Sequence, residues 1–358
     1  MILATSSLTA LITYEARGLS SPSGLEPLRR TASSSERDTL DADVGAGGES
    51  MTSHNVEGEE RGQEGEEGGE ERRDLMPRRT GVLPRPLVDF HVHLFPDKLC
   101  DAIWRRFVAD YGWKVLHQLY WRESLAYLRE RGVGTVVYSN YAHRKGIARG
   151  LNDWNLQVLA EIPDLFCFAA YHPDDEDGLA MAEALLEHPR ILGIKLQLLV
   201  QRFPPDDVRL FPLYELVMAK GKRLLLHVGT GPVGNEFVGV APFRRLLARY
   251  PDLPAIVAHM GALEYQAFGK LMDDHHGLLM DTAFAFLPRL GAVCDLDAEF
   301  MERHRGRILY GSDFPNVLFP REEEIDTLLG LNLSLDFYDA VFSGNGLRLT
   351  GGAAQTRP

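Results

Sequence analysis

Two histidines stand two residues apart in the run LVDFHVHL, at His91 and His93, and four more polar residues lie at or near the ends of later apolar runs: Lys195 in ILGIKLQ, His227 in RLLLHVG, His259 in PAIVAHM and Asp313 in RILYGSD. Side chains of an extended strand alternate faces. Asp89, His91 and His93 are therefore expected on one face, and Val88, Phe90, Val92 and Leu94 on the other. Two imidazoles on one face converge on a point, as ligation of a metal ion requires. Each of the other residues has a plainer use when taken alone. A histidine at a strand end commonly makes a structural hydrogen bond, a lysine reaches solvent, and Asp313 could cap a helix after Phe314 and Pro315. Gathered around one opening, they amount to a metal-binding and acid–base set.

Such a gathering needs strands whose ends meet. Eight short aliphatic or β-branched runs fall at 87–94, 135–141, 165–171, 191–197, 223–229, 254–260, 277–283 and 307–313. Amphipathic stretches lie between them, among them 151–162, 181–188 and 243–250. Strands alternating with helices build a parallel sheet, and eight in about 275 residues predict a (β/α)8 TIM barrel, which takes about 250. A doubly wound open sheet is the rival. It would carry a glycine fingerprint after the first strand, and the GTGPVG loop at 229–234 has the wrong spacing for that or for a phosphate loop. Barrel enzymes keep their chemistry at the C-terminal strand ends, where these polar residues fall.

The chain has 358 residues, 45% of them hydrophobic, and a net charge of −13. The charge is unevenly placed: residues 1–83 hold 16 acids against 9 bases, and Glu57 to Asp74 consists only of Glu, Asp, Arg, Gly and Gln. Ordering such a stretch costs entropy that no burial returns, so 1–83 reads as a disordered acidic extension, with a docking tail as the alternative, and 84–358 as the barrel domain. No basic stripe marks a nucleic-acid partner. No apolar run reaches the length of a membrane span, and the opening residues lack the basic start of a secretory signal. Cys100, Cys167 and Cys294 lie far apart with no CxxC pair, which excludes a disulfide framework or zinc ribbon. A reducing cytoplasmic setting is expected.

In order along the chain, DFHVHLF (89–95), GIKLQ (193–197), LLHVG (225–229), AHMG (258–261) and GSDFP (311–315) resemble the amidohydrolase superfamily, as does SNYAHRKGIARGLNDWN (139–155). The likeness, over roughly 87–346, is strongest to the amidohydrolase-related branch that contains aminocarboxymuconate-semialdehyde decarboxylase and many hydrolases. It implies a divalent metal, Zn2+ first with Mn2+ or Fe2+ open, held by His91, His93, His227 and Asp313 with His259 beside it. Lys195 leaves two states open: one metal per chain, or two bridged by a carboxylated Lys195 with His259 on the second. The balance falls slightly towards one.

The reaction expected from the resemblance is hydrolysis of a C–N or C–O bond in a small carboxylate, lactone or amide. The metal would acidify water, Asp313 would take the proton, and His259 would steady the oxyanion or polarise the carbonyl. The alternative is non-oxidative decarboxylation of an acidic aromatic or muconate-like substrate. An arginine to hold its carboxylate is expected soon after AHMG, and ALEYQAF has none. A non-catalytic binding barrel is the third reading, and it would be expected to have lost ligands. Asn140, His143 and His172 are candidate substrate contacts past the second and third strands, with turn-capping or structural roles equally open. The aromatic-rich 101–121 either covers the mouth or packs on the barrel, the latter being favoured. Partners are then a small-molecule substrate and, through its C-terminal helices, a homo-oligomer; neither nucleic acid nor membrane is expected.

Overall fold

The computed structural model describes residues 83–291 and 293–351. The expected acidic extension, apart from Leu83, lies outside the described residues. All eight predicted runs form strands: β1 (Leu87–His93), β2 (Val133–Ser139), β3 (Leu165–Ala170), β4 (Ile191–Leu196), β5 (Arg223–Leu226), β6 (Ala255–Val257), β7 (Leu279–Asp281) and β8 (Ile308–Leu309). They pair in the order β1 to β8, every neighbour parallel. Backbone bonds close the ring: Phe90 N–H donates to Tyr310 O at 2.8 Å, Asp313 N–H to His91 O at 2.7 Å and His93 N–H to Phe314 O at 2.8 Å. The fold is the (β/α)8 barrel, and the open sheet is excluded.

Two apolar layers follow from alternation. Val136, Tyr138, Leu224, Leu226, Val257 and Met280 face the helices in the larger core. Val88, Phe90, Val137, Phe168, Leu225, Ile256, Leu279 and Leu309, from strands all round the ring, pack together in a second cluster. Residues of opposite strands meet only in the lumen, so this cluster fills the barrel floor, with Leu347 and Leu349 of the C-terminal helix Asn345–Thr350 packed against it.

The first strand departs from strict alternation. Its register slips between Asp89 and Val92, three residues of β1 advancing against two of β2, from Val136 to Tyr138. This bulge corrects the face assignment: Val88 and Phe90 point into the lumen floor rather than at the helices. Asp89 turns to β8, where it accepts Ser312 N–H at 3.0 Å and Ser312 Oγ–H at 2.6 Å. His91 and His93 still face the lumen above that floor. Burial pushes the Asp89 carboxyl up to about 6, the Ser312 hydroxyl working against it.

Past β1, the helix Asp97–Tyr111 ends at Gly112, whose φ of 68° is the left-handed cap that glycine adopts without strain. The chain then runs through Trp113 and is tied to the β8 loop by Leu116 N–H donating to Val317 O at 2.8 Å. No helix of the described residues is long and apolar enough to cross a membrane.

Candidate metal centre

Each histidine at the mouth has its outer nitrogen on an acceptor. His91 Nδ1–H donates to Asp281 Oδ2 at 2.9 Å, His93 Nδ1–H to Ser139 O at 3.3 Å, His259 Nδ1–H to Ala283 O at 2.9 Å and His227 Nε2–H to Gly231 O at 2.8 Å. Carbonyls and carboxylates only accept. The inner nitrogens therefore carry no proton and present lone pairs: Nε2 of His91, His93 and His259, and Nδ1 of His227.

Those lone pairs crowd one another and Asp313. His91 Nε2 and His93 Nε2 lie 3.3 and 3.0 Å from Asp313 Oδ1, and His227 Nδ1 lies 3.1 Å from His259 Nε2. Asp313 Oδ1 is buried and receives no hydrogen bond. Electron pairs at such distances with no proton between them repel unless a cation sits among them. The donor set of imidazoles and one carboxylate oxygen suits Zn2+, Mn2+ or Fe2+. The ligand atoms of His91, His93 and Asp313 fall within 4.8 Å of each other. His227 stands one ring further on, where Gln197 Nε2–H donates to its Nδ1 at 3.2 Å.

Protonation follows the same pattern. Burial lowers the pKa of His91, His259 and most strongly His227, keeping them neutral. Burial alone would raise Asp313; positive charge beside it, as on the rings of His93, His91 and His259 when protonated, holds its carboxyl well below the usual range. Asp313 sits at φ 60° and His259 at φ 58°, left-handed conformations that cost energy in non-glycine residues and cluster at functional sites. Gly311 is required by contact: a Cβ there would lie 2.6 Å from His91 Cβ. Lys195 is fully buried, donates to His91 Nε2 at 3.2 Å, and is lowered by burial to about 8.

Asp281, which the motif reading passed over, closes β7 as the other polar residues close theirs. Its Oδ2 takes the His91 proton and its Oδ1 accepts backbone N–H groups of His259 at 3.0 Å and Ala283 at 3.2 Å. With both oxygens engaged, it orients the His91 ring and holds the His259 backbone, and its distance to His91 and His259 would also allow ligation.

The cavity beside these groups measures about 120 Å³. Its polar end is His93, His227, His259, Asp313, Gln197 and Asn316, and its walls are mainly apolar and aromatic, including Phe107, Tyr111, Trp113, Tyr141 and Phe284. The 101–121 region therefore does both things weighed for it: Trp104 packs below, 5.7 Å from Tyr120, while Phe107, Tyr111 and Trp113 wall the opening. No lysine or arginine of the described residues lines the cavity.

The three expected substrate contacts lie off this cavity. Ser139 takes the inward position on β2, which turns Asn140 outward; fully buried, it donates to Leu94 O at 3.3 Å and to Asn155 Oδ1 at 2.7 Å. His143 is exposed on the loop. His172 is buried, accepts Asp174 N–H at 3.3 Å and packs edge-on against Phe203 at 5.9 Å. Their place near strand ends was legible, but the loop paths that carry them away were not.

The sequence pattern of the Amidohydrolase family matches residues 88–351. The chain belongs to the amidohydrolase family. This amidohydrolase thus joins a superfamily of metal-dependent enzymes, and it matches no curated protein sequence. Among solved structures it is similar to an uncharacterized TIM-barrel protein from Bordetella bronchiseptica, at 19% identity and a TM-score of 0.57 over 74% of this chain and 98% of that one. It is also similar to 5-carboxyvanillate decarboxylase from Sphingomonas paucimobilis, at 15% identity and 0.55 over 75% and 100%. A third is the manganese-bound 5-carboxyvanillate decarboxylase from Novosphingobium aromaticivorans, at 13% identity and 0.52 over 75% and 97%. At these identities the likeness is one of fold.

Proposed function

We propose that this amidohydrolase hydrolyses a C–N or C–O bond in a small, ring-bearing amide, ester or lactone. The observation that carries the reading is Asp313 Oδ1, a buried carboxylate oxygen with no donor of its own at the end of a cavity without basic side chains. His91, His93, His227 and Asp313 would hold one divalent cation, with Zn2+ the first choice. When bound, it supplies Lewis acidity, which polarises a carbonyl and brings the pKa of water from about 15.7 towards 7. Asp313 accepts the proton of the attacking water and returns it to the leaving group. Asp281 and Ser139 fix the His91 and His93 rings so that their lone pairs stay inward.

His259 takes a changed role in this reading. Its proton is on Nδ1, facing Ala283 O, so a neutral ring has no inward N–H for an oxyanion. It serves as a further nitrogen ligand. Lys195 neutralises charge beside His91, and a second metal on a carboxylated Lys195 is the alternative state.

Decarboxylation is the second reading, favoured by the aromatic walls, which suit a planar ring, and by the decarboxylases that share the fold. The missing cation for a substrate carboxylate weighs against it. Purified protein with its metal measured is offered aromatic amides, esters, lactones and carboxylic acids in H2(18)O. Hydrolysis predicts solvent oxygen in the product and no CO2; CO2 without label uptake would replace it with the second reading.

A further inference from the structure

Two polar side chains in the cavity wall have no work inside the protein. Tyr141 is 8% exposed and Asn316 7% exposed, both residues line the cavity, and no described residue hydrogen-bonds the Tyr141 hydroxyl or the Asn316 side-chain amide. Trp113 Nε1, Gln197 Oε1 and Asp313 Oδ1 in the same lining also lack a partner, whereas the amides set back from the cavity are committed. Asn140, Asn152, Asn155 and Gln201, all buried nearby, spend their amides on each other or on the backbone. Both side chains open on the cavity and have no partner in the protein, so their hydrogen-bonding capacity is left to whatever occupies it.

Their positions say what they would reach. The Tyr141 ring stands edge-on to His93 at 5.9 Å, and Asn316 is anchored by its backbone N–H on Asp313 O at 3.0 Å. Each therefore abuts a residue of the candidate metal centre. A cavity of about 120 Å³ holds one small molecule, so both groups meet the same occupant. A phenol O–H and an amide N–H are neutral donors.

We propose that Tyr141 and Asn316 are substrate-binding residues that donate hydrogen bonds to an uncharged oxygen of the substrate's acyl group, supplying the donors that His259 lacks. The inference rests on the hydrolytic reading and narrows its substrate class to neutral aromatic amides, esters or lactones. The walls explain the restriction. Phe107, Tyr111, Trp113 and Phe284 offer ring faces and edges, and no lysine or arginine of the described residues lines the cavity. A second carboxylate remote from the metal would be desolvated there without a counter-charge. Burial and the neighbouring Asp313 keep the Tyr141 phenol protonated through neutral pH, so it remains a donor.

Calorimetry on the full chain loaded with Zn2+ tests this with benzamide as the probe and toluene as its nonpolar counterpart. Tyr141→Phe and Asn316→Ala are each expected to weaken benzamide by roughly three- to tenfold, with toluene affinity, zinc content and melting temperature unchanged. Asn316→Ser, which keeps a donor, is expected to lose less than Asn316→Ala. Terephthalate is expected to bind more weakly than terephthalamide. Unchanged benzamide affinity in Tyr141→Phe and Asn316→Ala would overturn the proposal, as would failure of benzamide to bind the parent protein. Because the readout is binding, it separates from the hydrolytic reading: weakened benzamide without any label uptake sinks hydrolysis alone, and label uptake with unchanged benzamide affinity sinks this inference alone.

Discussion

Asp281 and Asp313 stand at one end of the barrel, and their partners divide their work. Asp281 accepts from His91, His259 and Ala283, whereas Asp313 Oδ1 accepts from none. Asp281→Asn keeps the shape but removes the charge that holds the His91 tautomer. Metal affinity is expected to fall by about 10- to 100-fold, read by competition with a chelator. Asp313→Asn is expected to lower turnover by about 10² to 10⁴ once metal is restored by excess. Full metal content together with full turnover in that variant would remove Asp313 as the base.

Elements hold these residues in place through contacts far along the chain. Gly346, in the C-terminal helix Asn345–Thr350, packs so closely on β1 that a Cβ would lie 2.4 Å from Val88 Cγ1. Val88 belongs to the barrel floor and has little room to yield, so Gly346→Ala is expected to cost about 1–3 kcal/mol, measured by urea unfolding. The helix Arg321–Gly330 is pinned to the β7 loop by Glu324 Oε1, which accepts Phe286 N–H at 3.2 Å. Burial pushes this carboxyl well above its usual range, only partly opposed by the Phe286 and Phe284 N–H groups. The folded chain then holds the proton more tightly than the unfolded one. The contribution is complete below the unfolded pKa of about 4.3 and declines as pH rises from there towards the folded value. Glu324→Gln is expected to flatten that decline, seen as a smaller loss of melting temperature between pH 5 and pH 8.

Folding and metal binding should be linked across the barrel, because the candidate ligands come from β1 and from the loops after β5 and β8. A cation that binds the folded chain alone stabilises it by about 2.7 kcal/mol at a hundredfold excess over Kd. Chelation is expected to lower the melting temperature, and adding Zn2+ or Mn2+ back should restore it; a melting temperature indifferent to both would argue against a metal in this centre. Elemental analysis of protein purified without added metal distinguishes the proposed one equivalent from the two that a carboxylated Lys195 would bridge.

Strand count, the parallel order and the gathering of His91, His93, Lys195, His227, His259 and Asp313 at one mouth were readable from the residues, because period-two alternation and short aliphatic runs are local properties of a chain. Asp281 was readable by the same signal, a polar residue closing an apolar run, and was missed for want of a motif. Other features depend on packing between distant segments. The β1 bulge, which sends Phe90 to the floor and Asp89 to Ser312, arises from register against β2 and closure onto β8. Asn140 falls to a buried amide network because Ser139 already takes the inward place. Tyr141 and Asn316 reach the cavity through the paths of two loops some 175 positions apart in the chain. Alternation sets which way a strand residue faces, but a loop has no such period. Where its side chains end is decided by what they pack against.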